Sequence, residues 1–183
     1  MALLLKSLKL LKEFRNIKPF STDFIDGINV VVGENGSGKS SLLGLLTNNS
    51  FKEIVKFNYV PNTTFRFFDT EKENPRLKDL ESMGKNYGFG LASHFASHGE
   101  AMLPILQAAK DFKDILLIVD EPEAGLSLSN QKKIFNVFES TIKKNCQVIV
   151  TTHSYVIIQS VPEVFNMDCL KWQSSKEYLK NVN

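Results

Sequence analysis

An α/β fold with a mostly parallel central sheet is predicted by two features of this 183-residue sequence. Short apolar runs of strand length alternate along the chain with longer runs at helical spacing, an order that places helices on the faces of a parallel sheet. Two short runs are mostly apolar: 28–32 is expected to form a buried strand, and 115–119, which is apolar without alternation, a central strand. A chain of this length is expected to form one domain, residues 1–183.

In the first third of the chain the elements differ in how clearly they are marked. The leucines of residues 3–14 fit a strand and a helix equally well, so periodicity does not decide between them. A buried strand is predicted over 28–32, between turn residues, and a leucine-rich helix over 40–46. Two extended segments, 54–60 and 63–68, are separated by a proline-asparagine turn.

The rest of the chain continues the alternation after a polar interruption. Residues 69–90 are polar and rich in turn formers, so they are expected to form a surface excursion. Helices are predicted over 100–112 and 128–144, and a further buried strand over 147–150. The tail after residue 171 is polar and carries no predicted element.

Composition excludes several classes of protein. Hydrophobic residues make up 43% of the chain and the formal net charge is only +2, which excludes a disordered chain and neither requires nor excludes nucleic acid. No apolar run reaches the length of a membrane span, and Lys6, Lys9 and Lys12 interrupt what would otherwise resemble a signal peptide. Cys146 and Cys169 do not form a disulfide framework, so a cytoplasmic location is expected.

A phosphate-binding loop is the strongest motif. The run Gly33-Glu34-Asn35-Gly36-Ser37-Gly38-Lys39-Ser40 matches GxxxxGK[ST] and lies between a predicted strand and a predicted helix. Glycines let the backbone wrap so that its N–H groups point at phosphate oxygens, and the helix start adds its positive end. Lys39 is expected to reach the β- and γ-phosphates and Ser40 to ligate Mg²⁺. The predicted ATP-contacting residues of the loop are Gly33, Asn35, Gly36, Ser37, Gly38, Lys39, Ser40 and Ser41.

Two acidic residues and a histidine follow buried strands. Asp120 and Glu121 come directly after the 115–119 run, where a carboxyl-end position suits Asp120 for the Mg²⁺ shell and Glu121 as acceptor of a proton from water. His153 lies just past the 147–150 strand and is expected at the same edge of the sheet. It could contact the γ-phosphate or position water.

In this order, the motifs resemble an ABC-type ATPase over most of residues 7–160. Asp120-Glu121-Pro122-Glu123 and Ser97-His98-Gly99-Glu100 are similar to motifs of its stand-alone branch, which includes relatives of RecF, the OLD nucleases and SMC/Rad50 heads. The resemblance implies an N-terminal antiparallel β portion and a helical part, 62–112, inserted before Asp120. It also implies that Ala124-Gly125-Leu126-Ser127 lies at a dimer interface.

The same resemblance implies how ATP and Mg²⁺ would be used. Two copies would dimerise head to tail around two ATP molecules, with Ser97 and Gly99 of one copy binding the γ-phosphate held by Lys39 of the other. A helix start is a suitable anion site, and Ser97 with Glu100 also has the spacing of an ordinary capping box.

Three departures qualify the resemblance. No glutamine lies between Ser41 and Ser97, so Asn62, in Tyr59-Val60-Pro61-Asn62, is either a shorter substitute for the family's Mg²⁺-ligating glutamine or a simple turn residue. Ser127 stands where the interface loop usually has aspartate. The stretch before Ser97 is too short for a coiled-coil arm, which excludes a complete SMC or Rad50 protein.

The remaining side chains carry simpler expectations. Phe65, Phe67 and Phe68 are expected to pack on a sheet, and the basic residues of the N-terminal region to form a solvated face rather than a nucleic-acid contact. Adenine stacking is left open among Phe14, Phe20 and neither.

Three functions remain open at this stage. The first is an ATPase in DNA metabolism or phage defence, working as a homodimer with DNA or a separate nuclease or effector protein. The second is the ATP-binding subunit of a transporter, and the third is a nucleotide-dependent switch without hydrolysis.

Overall fold

The protein is described by a computed structural model that covers residues 3–69, 103–104 and 106–182. In these ranges the strands are β1 (Leu5–Leu10), β2 (Phe20–Asp23), β3 (Ile28–Val32), β4 (Val55–Tyr59), β5 (Thr64–Asp69), β6 (Ile115–Asp120), β7 (Gln147–Thr151), β8 (Glu163–Asn166) and β9 (Lys171–Ser174). The helices are α1 (Lys39–Thr47), α2 (Leu128–Ile142), α3 (Tyr155–Gln159) and α4 (Ser175–Val182), with 3₁₀ turns at Asn49–Phe51 and Ala108–Asp111.

Within the described residues, six strands form the main sheet in the order β5-β6-β7-β3-β8-β9. All neighbours in it are parallel except β8 and β9, which form an antiparallel pair at one edge. A second, antiparallel sheet has the order β2-β1-β4. The predicted fold, a mostly parallel central sheet with an N-terminal antiparallel portion, is confirmed.

The core lies on both faces of the main sheet because its central strands are buried on both sides. On one face, leucines of α1 pack with Val31, Ile118 and the antiparallel sheet. On the other face, α2 covers Val30 and Val119 with apolar residues at helical spacing. This two-sided burial explains why 115–119 and 147–150 are apolar without alternation.

One buried amide joins the two sheets. The side chain of Gln147, at the start of β7, accepts a hydrogen bond from the Leu5 N–H (2.7 Å) and donates to the carbonyls of Leu5 (3.1 Å) and Ile25 (3.0 Å). It thereby pairs with the backbone of β1 as a neighbouring strand would. A buried polar side chain with all these partners fixes the antiparallel sheet against the central one.

Several local predictions are refined or corrected. The 3–14 segment contains strand β1, and its leucines Leu5, Leu8 and Leu10 are buried. The polar tail, for which no element was predicted, contains β9 and α4. Phe68 is buried as expected, but Phe65 is 45% exposed on edge strand β5. The predicted excursion lies outside the described residues from residue 70 onward. Of the predicted 100–112 helix, residues 103–104 and 106–107 are helical and 108–111 form a 3₁₀ turn, while 100–102 and 105 lie outside the described residues.

No described helix combines the length and the apolar character that crossing a bilayer requires.

Candidate nucleotide-binding site

The phosphate-loop motif forms a tight turn between the carboxyl end of β3 and the start of α1. Gly33, Gly36 and Gly38 have φ of 145°, 82° and 102°, values that side-chain-bearing residues rarely adopt. Gly38 also has no room for a side chain, because a Cβ there would lie 2.6 Å from Ile17 Cγ1. The glycines of the motif are therefore required by the backbone path and not only by the pattern.

Lys39 is the buried cation of this loop. Its side chain is 5% exposed, and Nζ donates to the carbonyls of Gly33 (3.0 Å) and Glu34 (3.1 Å). Both acceptors belong to the loop itself. The ammonium group is thus held inside the turn, where it can attract an anion bound by the loop's N–H groups.

The surroundings of the loop fit a polyphosphate. The Ser37 hydroxyl is buried and has no hydrogen-bond partner among the described residues. The first turn of α1 holds no acidic residue and its N-cap, Gly38, offers no side-chain cap, so the positive helix end is open to an anion. A cleft of about 330 Å³ opens here, lined by Asn16, Asn35, Gly36, Gly38, Lys39, Ser40, Ser41 and Glu121.

A second segment, Phe14-Arg15-Asn16-Ile17, holds the loop from outside and was not predicted to do so. Arg15, with φ of 54°, donates from Nη1 to the Ser41 hydroxyl (3.2 Å), and the Asn16 amide donates to the Gly36 carbonyl. Ile17 packs against Gly38. Arg15 is therefore not simply part of a solvated basic face, and Asn16 lines the cleft; neither matches a motif that sequence reasoning could use.

The two predicted acidic residues lie at the carboxyl end of β6. Asp120 accepts a hydrogen bond from the Thr151 hydroxyl on β7, and the Glu121 N–H donates to the Thr151 carbonyl (3.1 Å). Glu121 has φ of 42°, a left-handed conformation that is strained for a non-glycine residue. This turn directs its side chain into the cleft that contains Lys39 and Ser40.

His153 reaches the same carboxylate from the next strand. Its Nε2 lies 3.5 Å from Glu121 Oε1, and both side chains are 41% exposed. The backbone after β7 is held by Glu123, whose Oε1 accepts N–H groups from His153 (2.5 Å) and Ser154 (3.1 Å). Burial raises the pKa of Glu123, and the hydrogen bond from the His153 backbone opposes that rise.

Asn62 is not placed with the other predicted Mg²⁺ ligands. It is exposed, with φ of 62°, in the turn that precedes β5. Because β5 runs parallel to β6, Asn62 lies at the amino edge of the sheet, about 20 Å along the strand from the edge that holds Asp120. The residue that does end β5 beside Asp120 is Asp69, which pairs with it in register.

Ser97 and Gly99, the predicted γ-phosphate contacts from a second copy, lie outside the described residues. The resemblance assigns the segment Ala124-Gly125-Leu126-Ser127 to the dimer interface, and this segment lies within the described residues. Ser127 caps α2 by accepting the Asn130 N–H (3.4 Å). In this chain the position has a local capping role.

The C-terminal elements also contact the phosphate loop. Both carboxylate oxygens of Asp168, in the turn between β8 and β9, accept the Glu34 N–H at 3.2 Å. Burial raises the pKa of Tyr178 on α4; the carboxylates of Asp168 and Glu34 raise it further, and a hydrogen bond with the Gly33 backbone opposes them. The start of the loop is therefore supported by C-terminal residues that lie outside every sequence motif.

The fold is similar to that of ABC ATPase heads, and the cleft is built around a phosphate-binding loop. The family described as "AAA domain, putative AbiEii toxin, Type IV TA system" matches residues 101–159, and a family described as "AAA domain" matches residues 10–86. Members of these ATPase families hydrolyse ATP.

Curated relatives are ATP-binding proteins of zinc import. The chain is 26% identical over 165 residues to the zinc import ATP-binding protein ZnuC of Photobacterium profundum, covering 78% of this chain and 63% of that protein. It is 28% identical over 152 residues to ZnuC of Mannheimia succiniciproducens, covering 71% and 58%. The chain thus spans about three fifths of the length of these relatives.

Solved structures share the fold. A nucleotide-free ATP-binding cassette from an ABC transporter aligns with a TM-score of 0.62 at 19% identity, covering 98% of this chain and 94% of that one. The cbiO1 protein of Clostridium perfringens, part of the ABC transporter complex cbiONQ, aligns with a TM-score of 0.58 at 16% identity, covering 100% and 92%.

Proposed function

We propose that this chain binds ATP with Mg²⁺ and hydrolyses it at the cleft beside Lys39. The observation that carries the proposal is that the phosphate loop and Glu121 line one cleft although they belong to different strands. A loop alone can bind phosphate, but a carboxylate in the same cleft can also accept a proton from an attacking water.

The residues around the cleft divide into those that bind phosphate and metal and those that act in hydrolysis. Lys39 and the loop N–H groups would bind the phosphates, and the hydroxyl of Ser40 and the carboxylate of Asp120 would hold Mg²⁺. When bound, Mg²⁺ neutralises charge on the phosphate oxygens. Among the described residues, no three His, Cys, Asp or Glu side chains group as a metal site, and Mg²⁺ is commonly held by one or two carboxylates together with substrate phosphates.

Glu121 and His153 form the hydrolytic pair. Glu121 accepts the proton of water, and His153, 3.5 Å from it, orients the carboxylate and contacts the γ-phosphate. The strained backbone at Glu121 supports this assignment, because left-handed non-glycine residues concentrate at functional sites.

The cycle is proposed to run between two copies of the chain. ATP held by one copy is closed by Ser97 and Gly99 of the other, so binding of the γ-phosphate favours the dimer and hydrolysis releases it. The role we favour is in DNA metabolism or phage defence, with DNA or a separate nuclease or effector as partner. The Asp-Glu-Pro-Glu motif and the family matched by residues 101–159 support a stand-alone ATPase.

A transporter subunit is the second candidate, because the curated relatives are zinc import ATP-binding proteins. The lack of any glutamine between Ser41 and Ser97 argues against this role. ATPase activity measured alone, with duplex DNA and with single-stranded DNA separates the candidates. Stimulation by DNA favours the first role, co-purification with a membrane protein the second, and absence of phosphate release a nucleotide-dependent switch.

A further inference from the structure

The side chain of Glu123 joins the two loops that carry the proposed hydrolytic pair. Glu121 belongs to the loop after β6 and His153 to the loop after β7. Glu123, two residues after Glu121, uses one carboxylate oxygen, Oε1, to accept both the His153 and the Ser154 backbone N–H groups. Glu123 thus links the loop that carries Glu121 to the backbone of His153.

We propose that Glu123 is a positioning residue that holds His153 against Glu121 for ATP hydrolysis. The inference rests on the proposed function, because it assigns Glu123 no contact with ATP. Two backbone hydrogen bonds to one carboxylate hold the loop at the residue that carries the imidazole. A catalytic group displaced by about 1 Å can lose on the order of a hundredfold in rate, so such a bridge matters for the chemical step.

Burial of the Glu123 carboxylate lowers the free energy of unfolding. Its second oxygen, Oε2, is buried and makes no hydrogen bond of normal geometry among the described residues, although a side-chain interaction with Thr152 lowers the pKa of the carboxyl and offsets part of the effect of burial. A buried carboxylate with an unsatisfied oxygen destabilises the fold relative to an apolar residue of similar size. Retaining glutamate here is better explained by the two N–H groups that it holds.

A neighbouring bridge provides a comparison. Gln131 on α2 donates to the Leu126 carbonyl (3.0 Å) and accepts from the Ser154 hydroxyl (2.7 Å), so it joins the same two loops without contacting His153. The Ser154 hydroxyl also caps α3 by accepting the Ile157 N–H (3.2 Å). Loss of Gln131 thus tests loop support in general, whereas loss of Glu123 tests the position of His153.

The experiment compares two residues of similar size at position 123. Glu123→Gln keeps an oxygen that can accept both N–H groups, and Glu123→Leu removes it; Glu123→Met replaces the leucine variant if that variant does not fold. We expect Glu123→Leu to lower kcat at least about tenfold with KM changed less than about twofold, and Glu123→Gln to retain most of the activity. Gln131→Leu serves as the matched control and should keep kcat within about threefold.

The same substitutions made in a His153→Ala background decide whether Glu123 acts through His153. If it does, Glu123→Leu lowers kcat less than about twofold in that background, because the group it positions is already absent. Three outcomes would each overturn the inference and leave the ATPase assignment intact. They are an equal loss of kcat in both backgrounds, an equal loss of kcat in the Leu and Gln variants, and wild-type kcat in Glu123→Leu. A folded wild-type protein without ATPase activity would instead overturn the proposed function, and this inference with it.

Discussion

His153 Nε2 and Glu121 Oε1 face each other across 3.5 Å from the ends of neighbouring parallel strands, β7 and β6. The register of the sheet brings them together: Asp120 pairs with Thr151, so the residues just beyond each strand meet at the carboxyl edge. The two residues are far apart in the sequence, and only the folding of the sheet brings them together. The proposed hydrolytic pair is a product of the parallel sheet, in which ligand sites form at this edge.

Replacing Glu121 with glutamine should stop hydrolysis while leaving ATP binding. The amide cannot accept a proton from water, so kcat should fall by about 10²- to 10⁴-fold. In the proposed cycle the ATP-bound dimer then accumulates, and light scattering at saturating Mg-ATP should report twice the monomer mass. A variant that remains monomeric under these conditions would contradict the head-to-tail dimer.

Lys39→Ala should abolish saturable ATP binding. Nζ is the buried ammonium of the loop, and its removal leaves the carbonyls of Gly33 and Glu34 without their donor as well as the phosphates without their cation. Isothermal titration with ATP and Mg²⁺ measures the change, with exposed Lys132→Ala on α2 as the control. Wild-type affinity in Lys39→Ala would refute the phosphate-loop assignment.

Two glycines near the loop should respond to alanine in opposite directions. Gly38→Ala places a Cβ against Ile17 in a backbone with φ of 102°, and should destabilise the fold by about 1–3 kcal/mol and weaken ATP binding. Gly44→Ala, inside α1 with no atom within 4 Å of the added Cβ, should stabilise it by about 0.5–1 kcal/mol. Urea unfolding of both variants measures the difference, and equal effects would disprove the steric argument.

Tyr178 should make stability depend on alkaline pH. Its pKa is raised from 10.0, chiefly by burial and then by Asp168 and Glu34, so the folded state keeps the phenol neutral where the unfolded chain ionises it. The contribution is complete below pH 10 and is lost as the pH rises through the folded-state pKa. The free energy of unfolding, measured in urea from about pH 9 to about pH 11, should fall less steeply for Tyr178→Phe than for wild type.

The central strands and the phosphate loop could be predicted from the sequence. Burial on both faces requires an unbroken apolar run, and the loop requires glycines at fixed spacing. The sequence could not decide β1, whose leucines fit two periods until pairing with β2 and β4 fixes them. It missed β9 and α4, where polar composition concealed an antiparallel edge and an amphipathic helix.

Of the two interpretations of Asn62, the turn residue agrees with the structure, and the substitute for the Mg²⁺-ligating glutamine conflicts with the topology. Tyr59 belongs to β4 in the antiparallel sheet, so the segment Tyr59-Val60-Pro61-Asn62 lies outside the central sheet. It leads to the amino edge of that sheet, opposite the edge that holds Asp120. Asp69 occupies the edge position, but no local pattern distinguishes it from other acidic residues. Arg15, Asn16 and Asp168 were missed similarly, since their contacts with the loop arise only after folding.

The contact between Asp168 and Glu34 has a practical consequence for anyone shortening this polypeptide. A fragment cut after residue 160, where recognisable motifs stop, would retain the entire phosphate loop, Glu121 and His153. It would lose the Asp168 carboxylate that accepts the Glu34 N–H and the tyrosine beside Gly33. Such a fragment should bind nucleotide poorly while every signature survives. Domain borders for expression therefore belong beyond α4.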